Sequence, residues 1–440
     1  GVDAQDTLNI SDGMGAVVFI MWFGFVIQGA IMMGATAIVS RMTGARDYPQ
    51  AQHGLHQAAM LGLLAGTISC GLLFTCSDFL VTHVLTMNET ARAYALQYVY
   101  MAAFAAPFSG VVFAINAALR GSGDTRLPFW IMMSVGILNV IFSVIFVFAD
   151  APLGGWRIGG IAAGTVCGYG ISMCILLFIM LRRRKKIFTG RKNESLEELV
   201  RERGEHYAPP LYLSFSHLRP DMGMQKRILK IGLPQAVEVF GMWGIQMFCL
   251  SIISELPVKG VLGVHNIAVR IESLSFLPGF AIGMAASTLV GQYLGARNAL
   301  MARITIWKCM RYAVIFMTGL GVLFSAFPAL FMEIFSNGST TLIDTGIPVL
   351  RTMLVVEPFF AACIVMKMSL RGAGDTRRVM LISYGIMGFF RVVCTWVWFR
   401  LAPETMTLWG IWLVFAFEMA VQSAILYKIV KGRSWTKLQV

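Results

Sequence analysis

Charge is scarce in this chain: only 13% of its 440 residues are Asp, Glu, Lys or Arg, about half the share of an ordinary soluble domain. A polypeptide so poor in charge, and 57% hydrophobic, has too little polar surface to dissolve as a globule. Residues for metal and redox chemistry are short as well. The eight cysteines stand scattered, mostly inside apolar stretches and without CxxC or other ligand spacing, and read as small core residues. The six histidines form no HExxH pattern, and no nucleophile constellation appears. Neither an enzyme nor a cofactor is therefore expected. The alternating ten-residue segments of an outer-membrane barrel are missing too.

What the chain does have is long apolar stretches, each able to cross a hydrocarbon core about 30 Å thick at about 1.5 Å per residue. They fall near 11–39, 57–77, 94–118, 128–149 and 158–181. After a polar interval come 229–253, 262–290, 312–334, 346–369, 379–400 and 408–428. The expected fold class is an all-α polytopic membrane protein with eleven spans. The net charge of +13 is distributed as in a membrane protein. Lys and Arg gather in alternate loops, at 40–53, 119–127, 182–230, 292–311, 371–378 and the C-terminus. The opposite loops hold only Arg92, Arg157, Lys259 and Arg400. By the positive-inside rule the basic side is cytoplasmic, including the 182–230 interval and the C-terminus. The run Arg182-Arg183-Arg184-Lys185-Lys186 reads as a topology anchor beside anionic lipid.

The chain also repeats itself. Leu119-Arg120-Gly121-Ser122-Gly123-Asp124-Thr125-Arg126 returns as Leu370-Arg371-Gly372-Ala373-Gly374-Asp375-Thr376-Arg377, an offset of 251 (370 less 119). The same offset carries Gly44-Ala45-Arg46 onto Gly295-Ala296-Arg297, and Pro107-Phe108 onto Pro358-Phe359. These phrases read as cytoplasmic reversals: the glycines permit tight turns, Asp124 caps the following helix, and the arginines sit at headgroup level. A constant offset means duplication, and duplicated membrane proteins are typically transporters. The expected domains are an N-terminal helical lobe at 1–186, a polar cytoplasmic linker at 187–227 with a surface helix over 194–205, and a C-terminal lobe at 228–440. The partner of span 229–253 would lie before residue 1. The expectation is thus two pseudo-symmetric six-helix bundles in parallel repeat, the first truncated to five.

Ionisable groups deep in a membrane are costly and are functional candidates by default. Glu238, Glu272, Glu357, Arg391 and Glu418 all fall near mid-span, and all belong to the second copy. The spans of the first copy contain only Asp12, at an outer edge. Arg391 is expected to pair with Glu272 or Glu418, leaving at least one acid free to carry a proton or a cation. Glu238, Glu272 and Glu357 are the coupling candidates. Lys367, which aligns with Asn116, sits near the cytoplasmic end, where a lysine can snorkel. The 28 Met and 31 Phe residues suit a deformable cavity for varied substrates, with Met242 and Trp243 beside Glu238 at its wall and Arg391 facing it.

The chain resembles the multidrug and toxic compound extrusion (MATE) family. The resemblance rests on Val39-Ser40-Arg41-Met42-Thr43-Gly44-Ala45, on Leu119 to Thr125, and on Leu138-Asn139 followed by Ile158-Gly159-Gly160-Ile161-Ala162-Ala163. In the second copy it rests on Ile231-Gly232-Leu233-Pro234, Gly291 to Ala296, Leu370 to Thr376, Arg391, and Gly432 to Trp435. It implies a two-lobed secondary active exporter, an antiporter that exchanges H⁺ or Na⁺ for organic, often cationic, compounds. Alternating access would work through a central cavity. The resemblance also implies polar coupling groups four residues apart on the fifth span, here Asn139 and Ser143. The chain departs from the pattern at Met242, where some members carry an acid eight residues after Leu-Pro; Glu238 is the nearest.

The partners expected are small organic, mostly cationic, substrates and membrane lipid, with no nucleic acid. The protein is expected as a monomer in a bacterial or archaeal cytoplasmic membrane. Two alternatives stand beside the antiporter. One is a lipid-linked oligosaccharide flippase of the same superfamily, which should line its cavity with several cations. The other is a non-transporting scaffold or receptor, which has no need of mid-span acids.

Overall fold

The computed structural model describes residues 4–84, 89–149, 154–187, 209–214, 219–258, 260–336 and 339–438. The surface helix expected over 194–205 lies outside the described residues. The described chain is helical. It separates into two compact units, Gly1–Ala236 and Val237–Val440, with the division falling inside one helix.

Unit 1 contains α1 (Ala4–Gly44), α2 (Tyr48–Phe79), α3 (Glu89–Ala103), α4 (Ala105–Gly121), α5 (Arg126–Phe148), α6 (Arg157–Ile187) and the start of α7 (Met222–Ser254). Unit 2 contains the rest of α7, then α8 (Val261–Gly295), α9 (Ala299–Ala326), α10 (Pro328–Ser336), α11 (Thr340–Gly372), α12 (Thr376–Met387), α13 (Thr395–Leu401) and α14 (Leu408–Lys431). Among the described residues ten helices, with α12 and α13 counted as one, are long and apolar enough to span a membrane. The bent pair α3–α4 makes an eleventh, with an angle of 48° at its break. Large apolar side chains stand exposed along these helices, Phe129, Trp130, Val140 and Phe148 on α5 among them. Such a surface suits lipid and not water.

The duplication is visible in backbone geometry. Arg46 and its counterpart Arg297 adopt φ of 59° and 56°. Gly123 and Gly374 adopt 93° and 90°, a left-handed turn that glycine enters without strain. Asp47 caps α2 by accepting from the Gln50 amide, and Asn298 caps α9 by accepting from the Met301 amide. Each of these pairs is separated by the same 251 residues.

Three expected spans are interrupted. The stretch 312–334 is broken at Phe327, before Pro328, because proline disfavours helix in the residue ahead of it and cannot continue the hydrogen-bond ladder. Pro107 sits just past the 48° bend between α3 and α4. Between α12 and α13 the chain makes a wide π-helical turn over Gly388–Cys394. By contrast, α11 runs unbroken through Pro348 and Pro358.

In unit 1, α2 and α4 approach closely because Gly62 and Gly66 have no side chain. A Cβ on Gly62 would collide with the Gly110 carbonyl, and one on Gly66 with the Ala106 carbonyl. Such small-residue contacts drive helix packing where water is absent. The first turns of α2 also grip the peptide that precedes α7. Gln52 exchanges two hydrogen bonds with the Tyr212 backbone. His56 Nε2 accepts from the Ser214 amide at 3.0 Å. Gln57 donates to the Arg219 carbonyl at 2.7 Å and accepts from the Asp221 amide at 3.0 Å. His53 lies 2.8 Å from the Asp221 carboxylate. Side chains of one helix thus stand in for a strand partner and satisfy an otherwise bare peptide.

Candidate functional site

Among the described residues, the mid-span charges named from the sequence form two ion pairs, Glu238 with Arg371 and Glu418 with Arg391, and leave two acids outside them. Glu238, one turn beyond Pro234 on α7, is fully buried. Arg371 at the end of α11 places a guanidinium nitrogen 2.9 Å from its Oε1, and Ser383 of α12 donates to the same oxygen at 2.6 Å. The neighbouring Tyr384 hydroxyl donates to the Val237 carbonyl. Its ring fits because residue 241 is glycine; a Cβ there would strike it. Two consecutive residues of α12 therefore fasten two consecutive residues of α7. Read from sequence, Arg371 was a headgroup-level turn residue; in the structure it points inward. It lies four residues after Lys367, on the same face of α11.

Glu418 on α14 is fully buried and accepts from Arg391 Nε at 2.5 Å. Arg391 occupies the π-helical turn, a distortion that is frequent at functional sites. Its guanidinium also reaches Gln246 Oε1 at 3.4 Å and lies 4.1 Å above the centre of the Phe415 ring. Gln246 in turn lies 3.4 Å from the His265 ring. Of the two partners expected for Arg391, Glu418 is the one it meets.

The remaining acids have no such partner. Glu357 on α11 is fully buried, its Oε1 accepting from Ser275 Oγ at 2.5 Å. Its Oε2 is buried without a hydrogen-bond partner. Gly321 of α9 leaves the space that the Glu357 side chain fills. Glu272, one turn before Ser275 on α8, accepts from Ser275 Oγ at 2.8 Å through its backbone carbonyl, while its carboxylate makes no hydrogen bond or ion pair among the described residues. The Glu272 carboxylate lies within electrostatic range of both Glu357 and the Arg391 guanidinium.

Unit 1 carries no such charge in its described core. Asn139 donates to Thr165 Oγ1 at 2.7 Å, and Ser143 donates to the Ile161 carbonyl at 3.3 Å; both tie α5 to α6. Asn116, the counterpart of Lys367, is fully buried with neither amide atom hydrogen-bonded. Met242 and Trp243 are partly buried on the next turn of α7 after Glu238. Sequence reasoning missed Arg371, Ser275, Ser383 and Gln246 as site residues. Arg371 alone carried a signal, its helical spacing from Lys367.

Comparison with known proteins gives a consistent picture. The MatE family model matches residues 12–145 and 234–397. A probable multidrug resistance protein NorM from Thermotoga maritima is 24% identical, over 97% of this chain and 86% of its own length. The multidrug resistance protein NorM of Vibrio cholerae is 22% identical, over 97% and 87%. Among solved structures, a MOP superfamily transporter from Pyrococcus furiosus aligns with a TM-score of 0.83 at 17% identity, covering 99% of this chain and 92% of that one. An outward-facing multidrug resistance MATE family transporter aligns with a TM-score of 0.81 at 18% identity, covering 99% and 93%.

Proposed function

The chain belongs to the MatE family, and on that premise we propose that it is a multidrug efflux transporter, a secondary active antiporter that exchanges an inward-moving cation for small organic, mostly cationic, compounds by alternating access. It resides in the cytoplasmic membrane with its 182–230 segment and C-terminus inside, as the placement of Lys and Arg supports.

The observation that carries the coupling assignment is the charge balance of unit 2. Glu238 and Glu418 are each compensated by an arginine. Glu272 and Glu357 meet no cation within ion-pair distance among the described residues. An uncompensated carboxylate away from water is costly, and a proton or a metal cation relieves that cost. Glu272 and Glu357 are therefore assigned the coupling role, with Ser275 holding one carboxylate oxygen in place. H⁺ is placed ahead of Na⁺ because a proton needs a single acceptor oxygen, and Glu357 Oε2 offers one. Arg391 and Glu238 then serve as charges fixed by their own ion pairs, and Asn139 and Ser143 as polar ties in the other unit. Cation binding favours one conformation and substrate the other, which requires that each bind the two states with different affinity. Met242 and Trp243 are assigned to the substrate wall.

Reconstituted vesicles loaded with a cationic dye test this. Dye movement should follow an imposed pH gradient, and it should be lost in Glu272→Gln and Glu357→Gln while both variants still bind dye. Undiminished gradient-driven movement in both would remove the coupling assignment. No movement of any tested cation by the unaltered protein would overturn the efflux reading itself.

A further inference from the structure

The 251-residue offset lets one surface in each unit be compared with its counterpart. In unit 1, Gln52, His56 and Gln57 on α2, with the Met180 carbonyl on α6, hold the peptide that precedes α7. Their counterparts in unit 2 are Arg303, Trp307 and Lys308 on α9 and Lys431 on α14. Met60 corresponds to Arg311, and Leu176 to Tyr427. A face that grips peptide through neutral hydrogen-bonding groups has become basic and aromatic. We propose that this second face, the cytoplasmic ends of α9 and α14, binds the phosphate of an anionic phospholipid in the inner leaflet.

Packing holds the face together. The Trp307 and Tyr427 rings meet with centroids 5.1 Å apart. Beneath them Ile306, Leu426, Val430 and Trp435 share one hydrophobic cluster. Charge gives it a sign. Helix α9 carries Arg303, Lys308 and Arg311 and no acid. Residues 419–438 carry Lys428, Lys431, Arg433 and Lys437 and no acid. None of these seven is ion-paired among the described residues, and Arg303 Nε is buried without a hydrogen-bond partner.

Depth then selects lipid over a soluble anion. Helix α9 has 28 residues, roughly 12 Å more than a 30 Å core needs at about 1.5 Å per residue. About 20 residues counted back from Ala326 reach Trp307; the same length counted forward from Leu408 on α14 reaches Tyr427. Both rings fall at the inner boundary, where Trp and Tyr concentrate. Arg303 lies one turn outside it and Arg311 one turn inside, on the same face. Arg311 and Lys308 are exposed, so Arg311 faces acyl chains unless a headgroup descends to meet it. Guanidinium forks suit a phosphodiester. Net negative headgroups match a surface that has no acid of its own.

Native mass spectrometry of the detergent-purified protein, with phosphatidylglycerol or phosphatidylcholine added, reads this directly. Phosphatidylglycerol should be retained about tenfold better than phosphatidylcholine. Arg303→Gln/Arg311→Gln should abolish that preference, whereas Lys226→Gln/Lys230→Gln on α7 should keep it. Millimolar inorganic phosphate should not displace the lipid. Equal retention of the two lipids, an unaltered preference in the α9 variant, equal loss in the α7 control, or displacement by free phosphate would each overturn the proposal. Should the double variant fail to stay monodisperse, the exposed Arg311→Gln alone should still lower retention severalfold, and an unchanged value would count equally against it.

Discussion

Arg371 reaches the Glu238 carboxylate at 2.9 Å from inside α11, whereas Arg120, its counterpart in the first repeat, meets no carboxylate among the described residues. The pair is buried at both ends: Glu238 is fully enclosed, and the Arg371 side chain is 9% exposed. Removing one member of such a pair strands the other charge, at a cost of about 3–5 kcal/mol, while replacing both by apolar groups is often close to neutral. Arg371→Met should therefore lower the thermal midpoint of the purified protein markedly, and Glu238→Leu/Arg371→Met should recover much of the loss. A double variant as unstable as the two single losses combined would contradict the pairing.

The close approach of α2 and α4 predicts a position-specific intolerance. Gly62→Ala forces a methyl group against the Gly110 carbonyl, and overpacking of this kind costs about 1–3 kcal/mol. Gly71 lies on the same helix with open space around it, so Gly71→Ala should be neutral or slightly stabilising. Folded yield and thermal midpoint of the two variants, measured side by side, check the contrast.

The turn glycines should behave as a matched pair. Gly123 and Gly374 share a left-handed backbone, where a side chain costs roughly 1–2 kcal/mol. Gly123→Ala and Gly374→Ala should each destabilise by that amount. Gly136→Ala, in open space on α5, should not. A thermal-shift series on the three variants reads the difference.

The peptide held by α2 should depend on pH in one direction. The Asp221 carboxyl is held below its usual range by the hydrogen bond to His53, aided by the Gly223 amide. A depressed carboxylate contributes stability above its unfolded value, near pH 4. That contribution fades as pH falls through the lower, folded value. Residues 209–214 should thus stay protected from amide exchange through neutral pH and lose protection in strong acid. Asp221→Asn should show weaker protection at pH 7 and a flatter acid response. Identical profiles for the two proteins would remove Asp221 from the clamp.

Much of the fold was legible because duplication repeats local chemistry as well as sequence. Asp47 and Asn298 differ in type, yet both cap a helix at equivalent places, since either side chain can accept from the amide three residues on. Equivalent turns at Arg46 and Arg297 share a rare backbone angle. The acids were legible as candidates for the opposite reason, that charge in an apolar stretch stands out. Their pairing was not. Whether Arg371 points outward or toward Glu238, and whether Arg391 takes Glu272 or Glu418, depends on helix rotation that no local spacing encodes. The break at Phe327 was hidden inside a continuous apolar run, although Pro328 marked it. The Asn139–Thr165 bond joins two helices, and neither sequence segment alone announces it.

The wide turn at Gly388–Cys394 has a consequence for comparing the halves. A π-helical turn takes up one residue more than the α-helical turn it replaces, and α5 in the first half is α-helical from end to end. From that turn to the end of α13, helical counterparts are shifted by one from numerical ones. Ser143 then answers to Thr395 instead of Cys394, hydroxyl matching hydroxyl. A chimera that exchanges α5 for α12 and α13 should be spliced with that one-residue slip, or every side chain beyond the splice will face the wrong neighbour.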